Sequence, residues 1–162
     1  MAKIREVDAI VHVVRSFENP SVSHIHGKID PVEDIEVVNL ELEMGGIVGK
    51  PTIYVLNVEE SKINQVDESI KSMRDRFGGE VVAISAKLEE EVIDLDEGER
   101  GEYLAAAGTT QTGLNQLIKS AYKLLGLISF YTIKGGKELH AWSIKGGATA
   151  LEAAAVVHTD FG

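Results

Sequence analysis

The stretch that decides the fold is residues 52–84, which begins "TIYVLNVEES" and ends "GGEVVAI". Its first five and last five residues are short apolar runs, which predict two buried strands. Between them, residues 60–77 carry apolar side chains three or four positions apart, and Gly78-Gly79 follows, which predicts a helix and its end. A strand, a helix and a second strand in this order predict a βαβ unit with parallel strands.

The same pattern continues toward the N-terminus. Residues 8–14 ("DAIVHVV") predict a further strand, buried on both faces. Asp30 is a candidate N-cap, with Pro31 at the first position of the helix "PVEDIEVVNLELEM". Three apolar strands separated by helices therefore predict an α/β fold built on a parallel sheet.

The pattern changes after a helix predicted at residues 113–125. "LISFYTI" and "ELHAWSI" are separated by the turn-rich "KGGK", which predicts a β-hairpin, and a helix capped near Thr149 follows. We expect two domains, residues 1–126 and residues 127–162, with a border near Gly126. The second is shorter than most domains that are stable alone.

Composition excludes several classes of protein. The 162 residues carry a net charge of −10, which argues against broad, nonspecific binding of nucleic acid. There is no cysteine, so disulfides and thiolate metal sites are excluded. No apolar run approaches the ~20 residues that span a bilayer, and the N-terminus lacks the pattern of a signal peptide. A cytoplasmic location without membrane association fits these observations.

Charge is unevenly distributed along the chain. Residues 89–102 hold eight acids and one base, whereas residues 119–147 hold five lysines and one acid. Solvated faces are the simpler interpretation of both clusters. The alternative for the second cluster is a small basic surface on an acidic protein.

Two predicted strands end in residues that could bind a ligand. Asn57-Val58-Glu59-Glu60 follows one, and Ser85-Ala86-Lys87 follows the next. Ligands of open parallel sheets bind at the carboxyl ends of the strands, and an amide side chain can both donate to and accept from a purine edge. The alternative is that both segments are ordinary turns, because Asn and Ser commonly end strands.

These segments resemble a known family. The sequence is similar to the YchF (Obg-like) ATPases of the translation-factor class of P-loop NTPases, and the similarity includes "REVDAIVHVVRSFEN", "KPTIYVLNVEE", "EVVAISAKLE" and "KELHAWSIKGGATALEAAAVVHTDF". The resemblance implies part of a P-loop NTPase (G-domain-like) parallel sheet. It is followed by a truncated TGS-like unit, the ββα start of a small β-grasp module associated with ribosome or RNA contacts.

The resemblance also implies a nucleotide site. Related GTPases read guanine with Asn-Lys-x-Asp, and the Asn-x-x-Glu of this family implies a preference for adenine. The matching residues are Asn57 and Glu60, with Val58 supplying a backbone contact, and Ser85, Ala86 and Lys87 match the second base-side loop. The implied ligand is ATP, with GTP as the alternative. The complete family proteins also use Mg²⁺, for which no ligands are identifiable in this sequence.

The sequence departs from the family pattern in three respects. It lacks the phosphate loop with the Mg²⁺-binding switch residues, it lacks the coiled-coil insertion, and the TGS-like part stops at Phe161. "GGIVGKPT" (residues 45–52) is similar to a phosphate loop, but its glycines are one residue too close and a strand is predicted after it. We therefore expect no phosphate binding there.

The sequence indicates the roles of the histidines less clearly. By resemblance, His24 matches a histidine in a mobile loop that is implicated in activating the hydrolytic water. His24 and His26 alternate as a metal-binding pair would, but no third ligand is evident. His12 lies in a predicted buried strand and is expected to be a packed, hydrogen-bonded residue of the core.

Two functional hypotheses follow. In the first, the chain is the base-recognition part of a YchF-type ATPase and does not hydrolyse ATP by itself. In the second, it is a noncatalytic module that binds the ribosome or RNA through Lys134, Lys137 and Lys145 of the TGS-like part. A third interpretation is a fold remnant with no independent function. By resemblance, the phosphate-loop strand that would flank residues 8–14 is missing, so we expect self-association or pairing with a partner through this edge strand.

Overall fold

Three parallel strands in the order β1-β2-β3 organise the first part of the computed structural model, which describes residues 2–24 and 27–158. The chain divides into two compact units, residues 1–120 and residues 121–162. The border predicted at Gly126 stays a prediction. The elements of the first unit are α1 (Ala2–Glu6), β1 (Ile10–Ser16), α2 (Pro31–Met44), β2 (Thr52–Val58), a 3₁₀ turn (Glu60–Lys62), α3 (Asp67–Phe77), β3 (Glu80–Ile84), α4 (Ala86–Val92), α5 (Glu97–Ala106) and most of α6 (Gly113–Leu124).

The central strand β2 is buried on both faces. It pairs in parallel with β1 and with β3, so that Val55 lies opposite Val13 on one side and Val82 on the other. Ile53 and Val55 are fully buried, as is Leu56 on the opposite face. The predicted parallel sheet and its βαβ connection are therefore confirmed.

Strand β1 differs from its prediction. It runs from Ile10 to Ser16, two residues later than expected, and only one of its faces is buried. His12 and Val14 are buried beneath α2, whereas Val11 is 44% exposed and Val13 57% exposed. Within the described residues β1 pairs only with β2, so it is an edge strand, and an apolar run alone could not distinguish it from a central strand.

Helix α2 begins as the sequence predicts. Oδ1 of Asp30 accepts a hydrogen bond from the backbone N–H of Glu33 at 3.2 Å, and Pro31 occupies the first turn. Its Ile35 side chain is fully buried in the main core. The buried members of that core are Val14, Ile35, Tyr54, Leu56, Val58, Met73, Val81 and Ala83.

The helix predicted over residues 60–77 is wrong in its first half. Only a 3₁₀ turn at Glu60–Lys62 precedes α3, although Ile63 and Val66 pack against the core as their spacing predicts. Nδ2 of Asn64 donates to the carbonyl oxygen of Ala107 at 3.0 Å. An Asn side chain bonded to backbone elsewhere is typical of a loop, since it competes with helix formation.

The acidic stretch after β3 forms two helices that the sequence analysis did not identify. Ser85 caps α4, and Asp96 caps α5 by accepting from the backbone N–H of Glu99 at 2.9 Å. Leu88, Val92 and Leu104 form a small buried core between them. Apolar residues are few among the many acids of this stretch, so its helical periodicity was not recognised.

The second unit contains the predicted hairpin and helix. Strands β4 (Leu127–Lys134) and β5 (Glu138–Lys145) are antiparallel, with Phe130 opposite Trp142. Helix α7 (Ala150–Val157) begins with a capping box formed by Thr149 and Glu152, which confirms the expected cap. In the described part of the chain, no helix is both long and apolar enough to cross a membrane.

Candidate functional site

A cleft of about 730 Å³ opens at the carboxyl ends of the three parallel strands. This is where open parallel sheets place their ligands. All six residues predicted to read a base line it, so the two loops face the same cleft, and their role in reading a base stays a prediction. The lining residues are Phe17, Glu18, Asn19, Asn57, Val58, Glu59, Glu60, Ser61, Asn64, Ser85, Ala86, Lys87, Ala106 and Ala107.

Asn57 joins the two loops through its side chain. Its Oδ1 accepts a hydrogen bond from the backbone N–H of Ala86 at 3.0 Å. Strand β2 continues to Val58, so Asn57 is held by the β ladder rather than by a free loop. The acceptor half of the amide is thus occupied, and its Nδ2 group makes no hydrogen bond to the described residues. Nδ2 is the part of this side chain that a ligand can use.

Ser85 has a structural role at the floor of the cleft. The residue is 1% exposed, and its Oγ accepts from the backbone N–H of Leu88 at 3.3 Å. The hydroxyl therefore caps α4 and is not free to contact a ligand.

A second link between the loops is ionic. Nζ of Lys87 lies 3.7 Å from Oε2 of Glu60 and 3.5 Å from Oε1 of Glu91. The lysine side chain is 71% exposed, whereas that of Glu60 is 30% exposed. Such an exposed pair contributes little stability. Its position nevertheless places a carboxylate and an ammonium group at the mouth of the cleft.

The hydrogen bond between Tyr103 and Glu91 ties α5 to α4 beside the cleft. Because the phenol donates to this carboxylate, the pKa of Tyr103 is raised to about 12. The same bond lowers the pKa of Glu91. Glu91 is therefore an anchoring acceptor near neutral pH and not a candidate proton donor.

Sequence reasoning missed the residues that follow β1. Phe17, Glu18 and Asn19 line the same cleft, as do Asn64 and the end of α5. The signal was present, because "DAIVHVV" was already predicted as a parallel strand of this sheet, and its carboxyl end must meet those of its neighbours. Phe17 is the aromatic side chain that this rule would have identified.

Known proteins resemble this chain along almost its whole length. A sequence model described as "YchF-GTPase_C: Protein of unknown function (DUF933)" matches residues 127–162. Over 99% of the chain, proteins named "Ribosome-binding ATPase YchF" from Haemophilus ducreyi and Bacillus subtilis are 33% and 30% identical to it. The solved "Structure of the Schizosaccharomyces pombe YchF GTPase" matches 98% of the chain, with a TM-score of 0.77 and 25% identity. These matches support a partial YchF-family protein.

The chain spans 61% of the H. ducreyi YchF protein, 62% of the B. subtilis one and 61% of the S. pombe structure. The H. ducreyi alignment covers 223 residues, whereas this chain has 162. YchF relatives therefore carry residues inside the matched span that have no counterpart here. This agrees with the expected lack of an insertion, whose position stays a prediction.

The segment similar to a phosphate loop does not have the form that such loops need. Strand β2 follows Lys50 and Pro51, where a phosphate loop would open a helix. Nζ of Lys50 instead donates to the backbone carbonyl oxygens of Arg5, at 2.9 Å, and of Val7. The lysine therefore fastens the N-terminal segment beside β1.

His24 lies outside the cleft. Its Nε2 is 3.0 Å from Oδ2 of Asp34 on α2, and its side chain is 16% exposed. It lines a different cavity, of about 360 Å³, which it shares with Arg15 and Lys28. His26 lies outside the described residues. Within residues 2–24 and 27–158, no group of three or more His, Asp or Glu side chains is arranged to hold a metal ion.

His12 is packed as expected but is not fully hydrogen-bonded. Its ring lies 5.8 Å from that of Tyr54, and Nδ1 is buried and has no hydrogen-bond partner among the described residues. Burial lowers the pKa of His12, and this effect outweighs that of the negative charge of Asp34, which raises the pKa. A neutral imidazole is the form that this site favours.

The lysines predicted to contact RNA are on the hairpin of the second unit. Lys137 lies in the exposed turn, and Nζ of Lys145 donates to the carbonyl oxygen of Leu125 at 2.7 Å. The side chain of Lys134 lies outside the described part. One of the three is thus engaged in holding the base of the hairpin.

Proposed function

We propose that the cleft binds the base of an adenine nucleotide. The proposed ligand is ATP, and GTP is expected to bind more weakly. Asn57, Val58 and Glu60 would contribute from one loop, and residues 85–87 from the other. The observation that carries this proposal is the hydrogen bond from the N–H of Ala86 to Oδ1 of Asn57, because it holds the two loops as one preformed site.

The chemistry of the cleft suits a purine base. The free Nδ2 of Asn57 can donate to a ring nitrogen, and the carboxylate of Glu60 can accept from an exocyclic amine. Phe17 offers an aromatic ring on which a base can stack. The names of the relatives, ATPase in two bacteria and GTPase in S. pombe, leave both nucleotides to be compared.

We also propose that this 162-residue chain does not hydrolyse the nucleotide. Phosphoryl transfer depends on groups that position the phosphates and Mg²⁺. The sequence contains no Gly-x₄-Gly-Lys-Ser/Thr motif, and the described residues that line the cleft include Glu18, Glu59 and Glu60 but only one lysine, Lys87. Mg²⁺ would accompany the phosphates of a bound nucleotide, and no residue of this cleft is assigned to it.

Isothermal titration calorimetry with ATP and with GTP, each with and without Mg²⁺, tests the proposed site. We expect ATP to bind more tightly than GTP, and Asn57→Ala to abolish the difference. Equal affinity for both nucleotides, or no saturable binding of either, would overturn the proposal. Phosphate release above that of the Asn57→Ala chain would contradict the second part.

A second candidate function rests on the C-terminal unit. Residues 127–162 match the family model, and the bacterial relatives are named as ribosome-binding. We propose that this unit is the start of a TGS-like β-grasp module, and that its lysines contact ribosomal RNA. Such a contact also supports a cytoplasmic location.

Co-sedimentation with ribosomes at increasing salt tests this alternative. Replacing Lys134, Lys137 and Lys145 by Ala should reduce both the bound fraction and its dependence on salt. The matched control replaces Lys3, Lys62 and Lys71 of the first unit and changes the net charge equally. Equal loss in both variants, or no dependence on salt, would refute a specific contact.

A further inference from the structure

We propose that Arg15 is a positioning residue for the cleft, fixing the segment at residues 17–22 so that Phe17 stays in the cleft wall. Three backbone carbonyl oxygens accept hydrogen bonds from its guanidinium group. Nε donates to Phe17 at 2.9 Å, Nη1 to Val22 at 2.9 Å and Nη2 to Asn19 at 3.1 Å. The part of this inference that concerns the ligand rests on the proposed nucleotide site.

The guanidinium group also contacts the ring that it positions. Cζ of Arg15 lies 5.0 Å from the centroid of the Phe17 ring, which is within the range of a cation–π contact. One face of the ring is thus occupied by the arginine, and a base would stack on the other. Arg15 therefore fixes both the backbone and the side chain of the first residue after β1.

The sheet fixes Arg15 relative to the rest of the site. Arg15 lies directly opposite Asn57 in the β1–β2 register. Asn57 in turn holds the loop of Ala86. Two neighbouring side chains at the same level of the sheet therefore fix the two loops that flank β2, and the cleft lies between those loops.

Lysine could not replace arginine in this role. The planar guanidinium group has several N–H donors and satisfies the three carbonyl groups. The ammonium group of lysine is a compact charge at the end of a flexible side chain. Arg15→Lys retains the charge but loses most of the hydrogen bonds. This makes it a more specific test than removal of the side chain.

Arg100 provides a matched control. It also donates to three backbone carbonyl groups, those of Val92, Ile93 and Leu95, at 3.1, 3.4 and 3.0 Å. Neither Arg100 nor the segment it holds lines the cleft. Arg100→Lys therefore removes the same kind of contact from a part of the fold that the inference does not concern.

The position of residue 17 can be measured without any nucleotide. Trp142 is the only tryptophan, so the double variant Trp142→Phe/Phe17→Trp carries one tryptophan fluorophore, in the cleft wall. If Arg15 holds this segment, adding Arg15→Lys should raise acrylamide quenching of that fluorophore about twofold, because the loop opens. Adding Arg100→Lys should leave quenching unchanged. Unchanged quenching with Arg15→Lys would overturn the inference, whatever the ligand proves to be.

Nucleotide affinity provides the second readout. Arg15→Lys should weaken binding of the fluorescent analogue mant-ATP about tenfold, which corresponds to about 1.4 kcal/mol of lost preorganisation. In a Phe17→Leu background, Arg15→Lys should cost little further affinity, since it acts through Phe17. Fully additive losses would show that Arg15 does not act through Phe17 and would overturn the inference.

The two proposals fail in different ways. If mant-ATP does not bind the parent protein, the proposed function fails, and the quenching experiment still decides the role of Arg15. If Arg15→Lys does not fold by circular dichroism, Arg15→Gln, which keeps a neutral amide donor, takes its place in both measurements. Increased quenching with unchanged affinity would overturn the link to the nucleotide.

Discussion

Asn57 and Ala86 are 29 residues apart in the sequence, and the side-chain oxygen of the first accepts a hydrogen bond from the backbone N–H of the second. Position 57 therefore has two separable tasks. The Oδ1 atom holds the fold of the cleft, and the Nδ2 atom is left for a ligand.

Asn57→Asp should separate these tasks. Aspartate retains an acceptor for Ala86 but loses the amide donor, so we expect stability near that of the parent and nucleotide affinity reduced about tenfold. Asn57→Ala should lose the affinity and also about 1 kcal/mol of unfolding free energy. Urea unfolding and calorimetry measure the two effects. Equal destabilisation by both substitutions would contradict the assignment.

Adenosine should bind this chain at least as tightly as ATP does at low ionic strength. Glu18, Glu59 and Glu60 line the cleft, and its one lysine is already paired with Glu60. Phosphates close to this acidic rim are repelled, and salt should reduce the difference between the ligands by screening. Calorimetry at two salt concentrations measures it. ATP binding tenfold more tightly than adenosine would mean that phosphate-binding groups remain to be found.

Self-association through β1 should depend on its exposed apolar face. Val13 is 57% exposed on a strand that has a neighbour on only one side in the described residues. We expect dimers at high protein concentration, and we expect Val13→Lys to reduce them, because a charge on an edge strand opposes pairing. Sedimentation velocity over a concentration series measures this.

Ile93→Lys is the control for that experiment, since Ile93 is 69% exposed directly after α4 and belongs to none of the described strands. It should leave the association unchanged. A parent chain that sediments as a monomer at every concentration would rule out the interface at residues 8–14.

His12 should make the stability depend on pH. Burial lowers its pKa in the folded state, so the unfolded chain binds more protons around and below the ordinary pKa of histidine, near 6.5. The free energy of unfolding should therefore fall as the pH is lowered through that value. His12→Leu, which also removes the unpaired Nδ1 atom, should abolish this part of the pH dependence. Urea unfolding at pH 5 and pH 7 compares them, and an unchanged pH profile would contradict the assignment.

Local signals in the sequence predicted much of the fold. Asp30 and Thr149 were identified as caps because the chemistry of capping is local. The parallel strands followed from their apolar runs. Two features were not predictable in this way. The loop at residues 63–66 depends on a contact between Asn64 and Ala107, and the exposed face of β1 depends on which strands are its neighbours.

The site was predicted from two of the three strand ends that form it. Asn57 and residues 85–87 were recognised because polar residues end apolar runs there. Phe17 is apolar and follows Arg15 and Ser16, so no change of pattern marked it. The bonds from Arg15 to three carbonyl groups join residues whose types carry no sequence signal, since backbone acceptors are present at every position.

Strand β1 is seven residues long and carries Val13 and Arg15 two positions apart on the same face. At a rise of about 3.3 Å per residue, the Cα atoms of Val13 and Arg15 are roughly 7 Å apart along the strand. Whatever pairs with this strand acts on the same rigid element that shapes the cleft. If binding in the cleft changes pairing at the strand edge, the effect is reciprocal, because one coupling free energy links the affinity for a nucleotide with the affinity for a second strand.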